Sequence, residues 1–465
     1  MDITPKLATE LDDKFREYLK PNGRLVLPRR YLAGDADLPY MPRKVKPEYL
    51  ELAKKSRTNW LRLVPEEYTK ALAVDGYRLA KDTDNIAAWD FWQLNGLDAR
   101  QTIAHRGALE YGTSYVLVLP GTSFSKPVIK PLDPLRSAAW YADEDDDYPE
   151  VGLIYLDRFK DGQTRRQRVA LVNDKHVVHY SRPVEGGDMR HEKTEPHNLR
   201  VTPLVRFRER LGGESLGLVR AFKGNQDRIN DVQFSIGMAL QFAMYRQRWA
   251  TGLAIPEDDE GNPVEPFDAA VDRLWVSDDP NAKFGDFAQT EIGGHQAEYK
   301  AQVATLAAAA QIDAHLFTGN MTNVTGEALL ARRHKTNRKI AEYQLLFGEA
   351  WELVFTLAAR AAGQPEPDAG AEVRWRDTSG EVVAGKVDAL GKMAQMLGIP
   401  QEALWEEVPG VTDSQLKRWR ELAKAARDND PLDALTAEIQ RQGLTADQVT
   451  APDAPTATPP AEAAA

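Results

Sequence analysis

Apolar side chains return every three or four positions through residues 327–362. Ile340, Tyr343, Phe347, Ala350, Trp351, Val354, Phe355 and Ala358 fall on one face of a predicted helix. The first half of the same stretch is basic instead, with Arg332, Arg333, His334, Lys335, Arg338 and Lys339. Thr325 is placed to cap it, Glu327 lies in its first turn, and Gly363 followed by Pro365 marks its end. At about 1.5 Å per residue such a helix spans on the order of 50 Å, long for a domain core, and it reads as a strut. Upstream, residues 296–312 predict a small-residue helix carrying Ala301, Ala304 and Ala307 to Ala310. Between the two helices, residues 318–326 offer hydroxyls and amides but no charge. A loop of that kind has no core to join, and it suits a surface that touches something without gripping it.

The same reading divides the rest of the chain. Helical spacing occupies residues 7–19 and 48–63, an aromatic turn with Trp92 lies at 89–94, and a helix near 100–111 ends at Gly112. Runs at 114–119, 128–130, 138–141, 151–158, 168–172, 176–180 and 204–207 predict strands. Turn residues at Gly121, Pro134, Asp161, Gly162, Asn173, Asp174, Gly186 and Gly187 separate them, so an antiparallel sheet is expected. A second long helix is predicted over 216–249, with Ile229, Val232, Gln233, Ile236, Leu240, Ala243 and Met244 as its stripe. A compact insert at 250–292 opens on the acidic turn Glu257, Asp258, Asp259, Glu260 and holds a short strand at 274–276. A strand at 373–376 and helices near 382–397, 401–407 and 413–427 follow. From residue 431 the chain predicts a disordered tail. The fold class expected is α+β, predominantly helical.

A length of 465 residues sets a prior of roughly two to four domain-sized units. A hydrophobic fraction of 42% with a mean hydropathy of -0.49 fits a soluble chain that buries large cores. No apolar run approaches the roughly 18 residues of a membrane helix, and the N-terminus lacks the pattern of a signal peptide. Cysteine is absent, which excludes disulfides, thiolate metal sites and thiol catalysis. A net charge of -11 and a pI near 5.4 argue against tight DNA binding through a basic face, though not against a surface along which DNA slides.

Candidate chemistry is sparse. His176, His179, His191 and His197 share one region, but His176 and His179 fall on opposite faces of the predicted strand, and surface or sheet histidines are the default reading. The acidic run Asp143 to Asp147 lacks the spacing and glycine of a calcium loop and reads as a solvated turn. No Walker-type phosphate loop and no nucleophile elbow occur, so no cofactor and no enzymatic activity are expected.

The order of parts resembles the portal proteins of tailed double-stranded DNA phages, of the long-tailed phage type, over nearly all of residues 20–430. Arg30 to Gly34, Trp89 to Asn95, Tyr111 to Tyr115, Asp227 to Asn230, Gln247 to Gly252, Thr325 to Leu329 and Val373 to Thr378 carry the resemblance. It implies a portal fold: a wing over 1–213, helical then β-rich, a first stem helix at 214–249, a small α/β clip at 250–292 and a second stem helix at 293–313. A tunnel loop at 314–326 follows, then a long wing-to-crown helix and turn at 327–372, a wing strand and crown helices at 373–430, and the tail at 431–465.

The resemblance further implies a homo-oligomeric ring, usually a dodecamer, at one capsid vertex of the virion, assembled in the host cytoplasm. It would serve as the channel for DNA packaging and ejection. Implied partners are double-stranded DNA, the terminase large subunit, the head-tail adaptor, the major capsid protein and a scaffold, with no membrane. Thr318, Gly319, Asn320, Met321, Thr322, Asn323, Val324, Thr325 and Gly326 would face DNA, and Glu257, Asp258, Asp259 and Glu260 would meet the clip's partners. Arg332, Arg333, Lys335, Arg338 and Lys339 are either a solvated face pairing with a neighbour's acids or a contact for DNA or the adjacent loop. The alternatives are another head-morphogenesis or scaffold-type protein, or a metal-dependent nuclease built on residues 143–147.

Overall fold

Helix α1 (Pro5–Tyr18) starts where the Thr4 hydroxyl accepts the Leu7 N–H and Pro5 takes a position that needs no donor. The chain is seen here in a computed structural model that describes residues 2–41, 46–78, 86–121, 126–244, 248–252, 281–286, 292–319, 326–376, 383–408, 411 and 413–428. It divides into two units, Met1–Gly380 and Glu381–Ala465.

In the first unit, α2 (Val26–Leu32), α3 (Pro47–Lys55), α4 (Leu63–Ala71), strand β1 (Val74–Arg78), α5 (Ile86–Leu94) and α6 (Leu97–Tyr111) follow α1. The single helix expected at 48–63 is corrected to α3, a connection and α4. The backbone N–H groups of Thr58 and Leu61 donate at 2.9 Å to the Asn230 and Gln226 side chains instead of continuing the helical ladder. Strand β1 was not expected at all.

Eight strands come next: β2 (Thr113–Leu119), β3 (Val128–Leu132), β4 (Ser137–Trp140), β5 (Val151–Asp161), β6 (Thr164–Val172), β7 (His176–Pro183), β8 (Arg190–Pro196) and β9 (Leu204–Arg208). They form two antiparallel sheets, β3-β2-β9 and β4-β5-β6-β7-β8, as the alternating runs predict. Two-residue periodicity sorts side chains into layers. Leu153, Tyr155, Val169 and Leu171 pack with Leu11 and Phe15 of α1, whereas Ile154, Ala170 and Val172 face Tyr115 and Leu117 of β2. Val116 and Val118, on the other face of β2, join the largest core with α5 and α6. Strand β8 escaped the sequence reading because every residue in it is exposed; it is a charged edge strand.

The second long helix, α7 (Leu218–Met244), is shorter than the expected 216–249. Residues 248–251 are instead β10 (Arg248–Thr251), paired antiparallel with β11 (Lys283–Asp286) at the foot of the insert. Trp249 lies over Gly285, where an added Cβ would meet the indole ring at 2.5 Å. The acidic turn at 257–260 and the expected strand at 274–276 lie outside the described residues.

α8 (Gly293–Ala309) begins and ends three residues before the expected 296–312. A single turn, α9 (Ala314–Thr318), separates it from α10 (Gly326–Ala361), a helix of 36 residues. All eight residues of the predicted stripe on α10 are buried. This overturns the strut reading for its C-terminal half, which is a core helix. α10 closes as predicted: Gly363 has φ 69°, and the Gln364 N–H reaches the Ala359 carbonyl at 2.9 Å. β12 (Glu372–Trp375) then pairs antiparallel with β1.

The second unit contains α11 (Val383–Leu397), α12 (Gln401–Leu404) with a tight turn at Trp405–Glu407, and α13 (Asp413–Asp428). Its boundary splits the expected 373–430 segment after the strand. Trp405 and Trp419 meet edge to face at 6.1 Å, and Arg420 pairs with Glu406 at 2.5 Å. The tail expected from 431 lies outside the described residues. No helix among the described residues is long and apolar enough to cross a membrane.

Candidate functional site

The loop at 318–326 springs from a base built by three helices. α8 ends in a Schellman turn: the Gln311 N–H donates to the Ala308 carbonyl and the Ile312 N–H to the Ala307 carbonyl at 2.9 Å. Gln311 itself sits at φ 57°, a left-handed position that glycine ordinarily takes. Two side chains hold the carbonyls that this turn frees. The Tyr68 hydroxyl of α4 donates to the Ala310 carbonyl, and the buried Thr336 hydroxyl of α10 donates to the Gln311 carbonyl at 2.7 Å. Asp313 then caps α9 by accepting the His315 N–H at 3.1 Å. Phe317, one residue before the loop, is buried against Trp60 at 5.9 Å between ring centres. Trp60 in turn donates to the Tyr299 hydroxyl of α8 at 2.8 Å. The loop therefore does have a core at its root.

Gly319 ends α9 with φ 68°, and its N–H donates to the His315 carbonyl at 2.9 Å. Asn320, Met321, Thr322, Asn323, Val324 and Thr325 lie outside the described residues, and α10 resumes at Gly326. Of the basic face, Lys335 and Arg338 are exposed. Lys339 lies over the Tyr343 ring at 4.7 Å and pairs with Glu342 at 2.9 Å, so its charge is already engaged within α10. The Arg332 and Arg333 side chains lie outside the described ones.

The root of α7 is fixed by a polar stripe that periodicity alone does not reveal. Asp227 accepts from the Tyr31 hydroxyl at 2.5 Å, and Lys223 bridges Asp227 and Asp37 at 2.6 and 2.9 Å. Burial, assisted by the hydrogen bond to Asp227, pushes the Tyr31 phenol up to about 12. One turn on, Gln226 and Asn230 are almost fully buried and hold the Thr58–Leu61 backbone. Their spacing of three and four residues was visible, but the partner segment lies some 170 positions away in sequence and no local signal names it.

Close backbone approach sets where α7 departs. A Cβ on Gly217 would meet the Glu110 carbonyl oxygen at 2.6 Å, and Gly112, at φ 90°, is pressed against the Ser215 carbonyl. The Ser215 hydroxyl donates to the Gly112 carbonyl at 2.6 Å. Either glycine replaced by a larger residue would push α7 away from the sheet.

The histidines do not converge. His179 meets Glu195 at 3.0 Å, His191 meets Thr194 at 2.8 Å, and buried His197, its pKa lowered by burial, meets the Asn173 carbonyl at 2.8 Å. In the acidic run, Asp146 accepts the Asp143 N–H at 3.0 Å and Asp143 accepts the Asp145 N–H at 3.2 Å, the pattern of a self-capped turn. Among the described residues no group of three or more His, Asp or Glu is placed to hold a metal.

Residues 18–428 match the family described as phage portal protein, SPP1 Gp6-like. The portal protein of Mycobacterium phage L5 is 23% identical over 356 residues, and that of Mycobacterium phage D29 is 24% identical over 360; each alignment covers 71% of both chains. Among solved structures, the chain is similar to one from the neck of an empty GTA particle computed with C6 symmetry. That match has TM-score 0.42 and 12% identity, covering 84% of this chain and 95% of the other. A chain from the virion of a native gene transfer agent particle gives TM-score 0.44 and 12% identity, covering 83% and 99%. With the family match spanning both large sheets, both long helices and the helices beyond them, the chain belongs to the phage portal protein family of the SPP1 Gp6-like type.

Proposed function

We propose that the chain assembles into a closed dodecameric ring at one vertex of a phage capsid and acts there structurally, without catalysis of its own. The ring is the channel through which DNA is packaged and ejected. It docks the terminase large subunit during packaging and the head-tail adaptor afterwards, with the major capsid protein and a scaffold as further contacts. The observation that carries this reading is the family match over residues 18–428. The base beneath residues 318–326 supports it: Tyr68 and Thr336 hold the turn at Ala310 and Gln311 and Phe317 is buried, so a DNA-facing loop would project from a fixed root. Uncharged loop residues avoid trapping the duplex, whose affinity for cationic surfaces changes by about 10³–10⁵ when 6–10 phosphates are engaged over a modest salt range. Lys335 and Arg338, exposed on α10, are the described cations offered to DNA or to a neighbouring subunit.

Negative-stain imaging of the purified protein tests the assembly: rings with a central hole are expected. Only monomers of 51.9 kDa, at every salt and protein concentration, would sink the reading. The clip is tested separately. Glu257, Asp258, Asp259 and Glu260 lie in the insert whose feet β10 and β11 tie together, and they are proposed to meet the motor and then the adaptor. Deleting residues 257–262 should leave rings intact and impair packaging. Rings that fall apart would show that the turn joins subunits instead.

A further inference from the structure

Two features of the first unit are exposed to solvent among the described residues. One is a groove of about 330 Å³ between the 143–147 turn, β9 and the middle of α10. Leu211, Leu345, Leu346 and Leu353 line it, and Leu345 is 75% exposed although the opposite face of its helix is core. The other is the connection after α2, where Tyr40 is 94% exposed. The backbone before this tyrosine is anchored. Asp37 pairs with Arg30 at 3.1 Å and with Lys223 at 2.9 Å, and Pro39, next to Tyr40, is buried. Docking such an aromatic costs little backbone freedom and buries a large apolar area, as an interface anchor does.

Charge says what each feature fits. Asp146, Asp147 and Glu349 lie along the groove, and Asp147 and Glu349 carry no ion pair among the described residues. Its two cations are held locally: Arg206 and Arg208 donate to the Glu144 carbonyl at 2.6 and 3.2 Å, and Arg206 stacks on Tyr141 at 3.9 Å. Three acids against two engaged arginines disfavour a nucleic-acid occupant. Tyr40, by contrast, is followed in the sequence by Arg43, Lys44 and Lys46. An apolar anchor trailed by cations matches leucines rimmed by carboxylates.

We propose that residues 38–41 of one subunit seat Tyr40 in the Leu345 groove of a second copy of this chain. The proposal rests on the ring reading above and adds to it a specific lateral contact. Because each copy offers one arm and one groove, the contact is head-to-tail and propagates around a ring rather than closing a pair.

The absence of cysteine makes the test clean. A Tyr40→Cys/Leu345→Cys variant and a Met41→Cys/Glu349→Cys variant are assembled, checked for rings by imaging, and linked with a short bismaleimide. The second pair leaves Tyr40 and Leu345 in place if the first impairs assembly. A ladder from dimer upward on a denaturing gel is expected, with single-cysteine variants remaining monomeric. Tyr40→Ala should also raise the concentration needed for half-assembly about 10-fold or more while leaving the melting temperature of the monomer unchanged. Rings in which neither pair yields a ladder, or in which linking stays within one chain, overturn the contact and leave the ring standing. Wild-type protein that stays monomeric under all conditions overturns both.

Discussion

His105→Phe is expected to cost about 2–4 kcal/mol of stability at pH 7.5 and roughly 2 kcal/mol less than that at pH 5. The imidazole is fully buried where α6, α10 and the start of β1 converge. Its Nε2 accepts the Trp351 indole N–H at 2.8 Å, and its Nδ1 lies 3.0 Å from the Leu72 carbonyl, so the neutral tautomer donating through Nδ1 satisfies both. The ring also stacks on Phe347 at 5.2 Å with planes 9° apart. Phenylalanine keeps the stacking and strands a buried indole N–H and a carbonyl, each costing about 1–3 kcal/mol.

The pH dependence follows from burial, which pushes the His105 pKa down to about 3 against an ordinary 6.5. The unfolded chain takes up a proton below about 6.5 that the folded chain refuses until about 3. Stability is therefore lost as pH falls through this window, by about 1.4 kcal/mol per unit. Phenylalanine has nothing to titrate, so the gap between variant and wild type narrows on acidification. Glu110 works in the opposite sense: burial raises its carboxyl to about 7, against the pull of Arg106 and with Glu66 and Asp133 adding, so its contribution grows as pH falls from 7 toward 4.5. Both proteins keep Glu110, and comparing them at the same pH cancels it. Chemical denaturation at pH 7.5 and pH 5 measures both values. A gap that stays constant or widens at pH 5 would mean that His105 is not held neutral.

Local periodicity made the long elements legible. The stripe on α10 is strong because Tyr343, Phe347, Trp351 and Phe355 meet the same core over about three turns. Strands β5, β6 and β7 were clear where they are buried on both faces, at 151–155, 169–172 and 177–178, whereas the polar ends of β5 and β6, at 159–161 and 164–167, carry no such signal and were missed. What stayed hidden is held by contacts remote in sequence. Residues 56–62 are irregular because α7 captures their backbone, and β1 is a strand because β12, some 300 positions later, pairs with it through Arg374 and Asp75 at 3.1 Å. Strand β8 has no apolar pattern to read. Of the residues that carry the family resemblance, several are framework rather than site: Trp92 packs on Trp351 at 4.9 Å, Asn95 accepts the Ile129 N–H at 2.9 Å, and Gly112 permits the departure of α7. A resemblance carried by such residues reports architecture well and says little about which side chains meet a partner.

Asn320→Lys combined with Asn323→Lys is expected to leave folding and ring assembly unchanged and to slow or stall DNA packaging at low salt. The supports of the loop explain the first half. Tyr68, Thr336, Phe317 and Gly319 lie outside the substituted positions, and the hydrogen bonds that close α8 and α9 involve neither asparagine. Charge explains the second. A contact worth a few tenths of a kcal/mol per loop, below RT of about 0.6 kcal/mol, lets the duplex move. Two lysines per loop, multiplied around the ring, would hold phosphates, and the hold should weaken steeply with salt because each engaged phosphate releases counterions. Packaging by the variant should therefore recover as ionic strength rises, while a matched Asn320→Gln/Asn323→Gln variant packages normally throughout. The comparison is a salt series of packaging rates for wild type and both variants. A lysine variant that packages at the wild-type rate at every salt concentration would mean that residues 318–326 do not reach the DNA, and the DNA-facing assignment of this loop would be withdrawn.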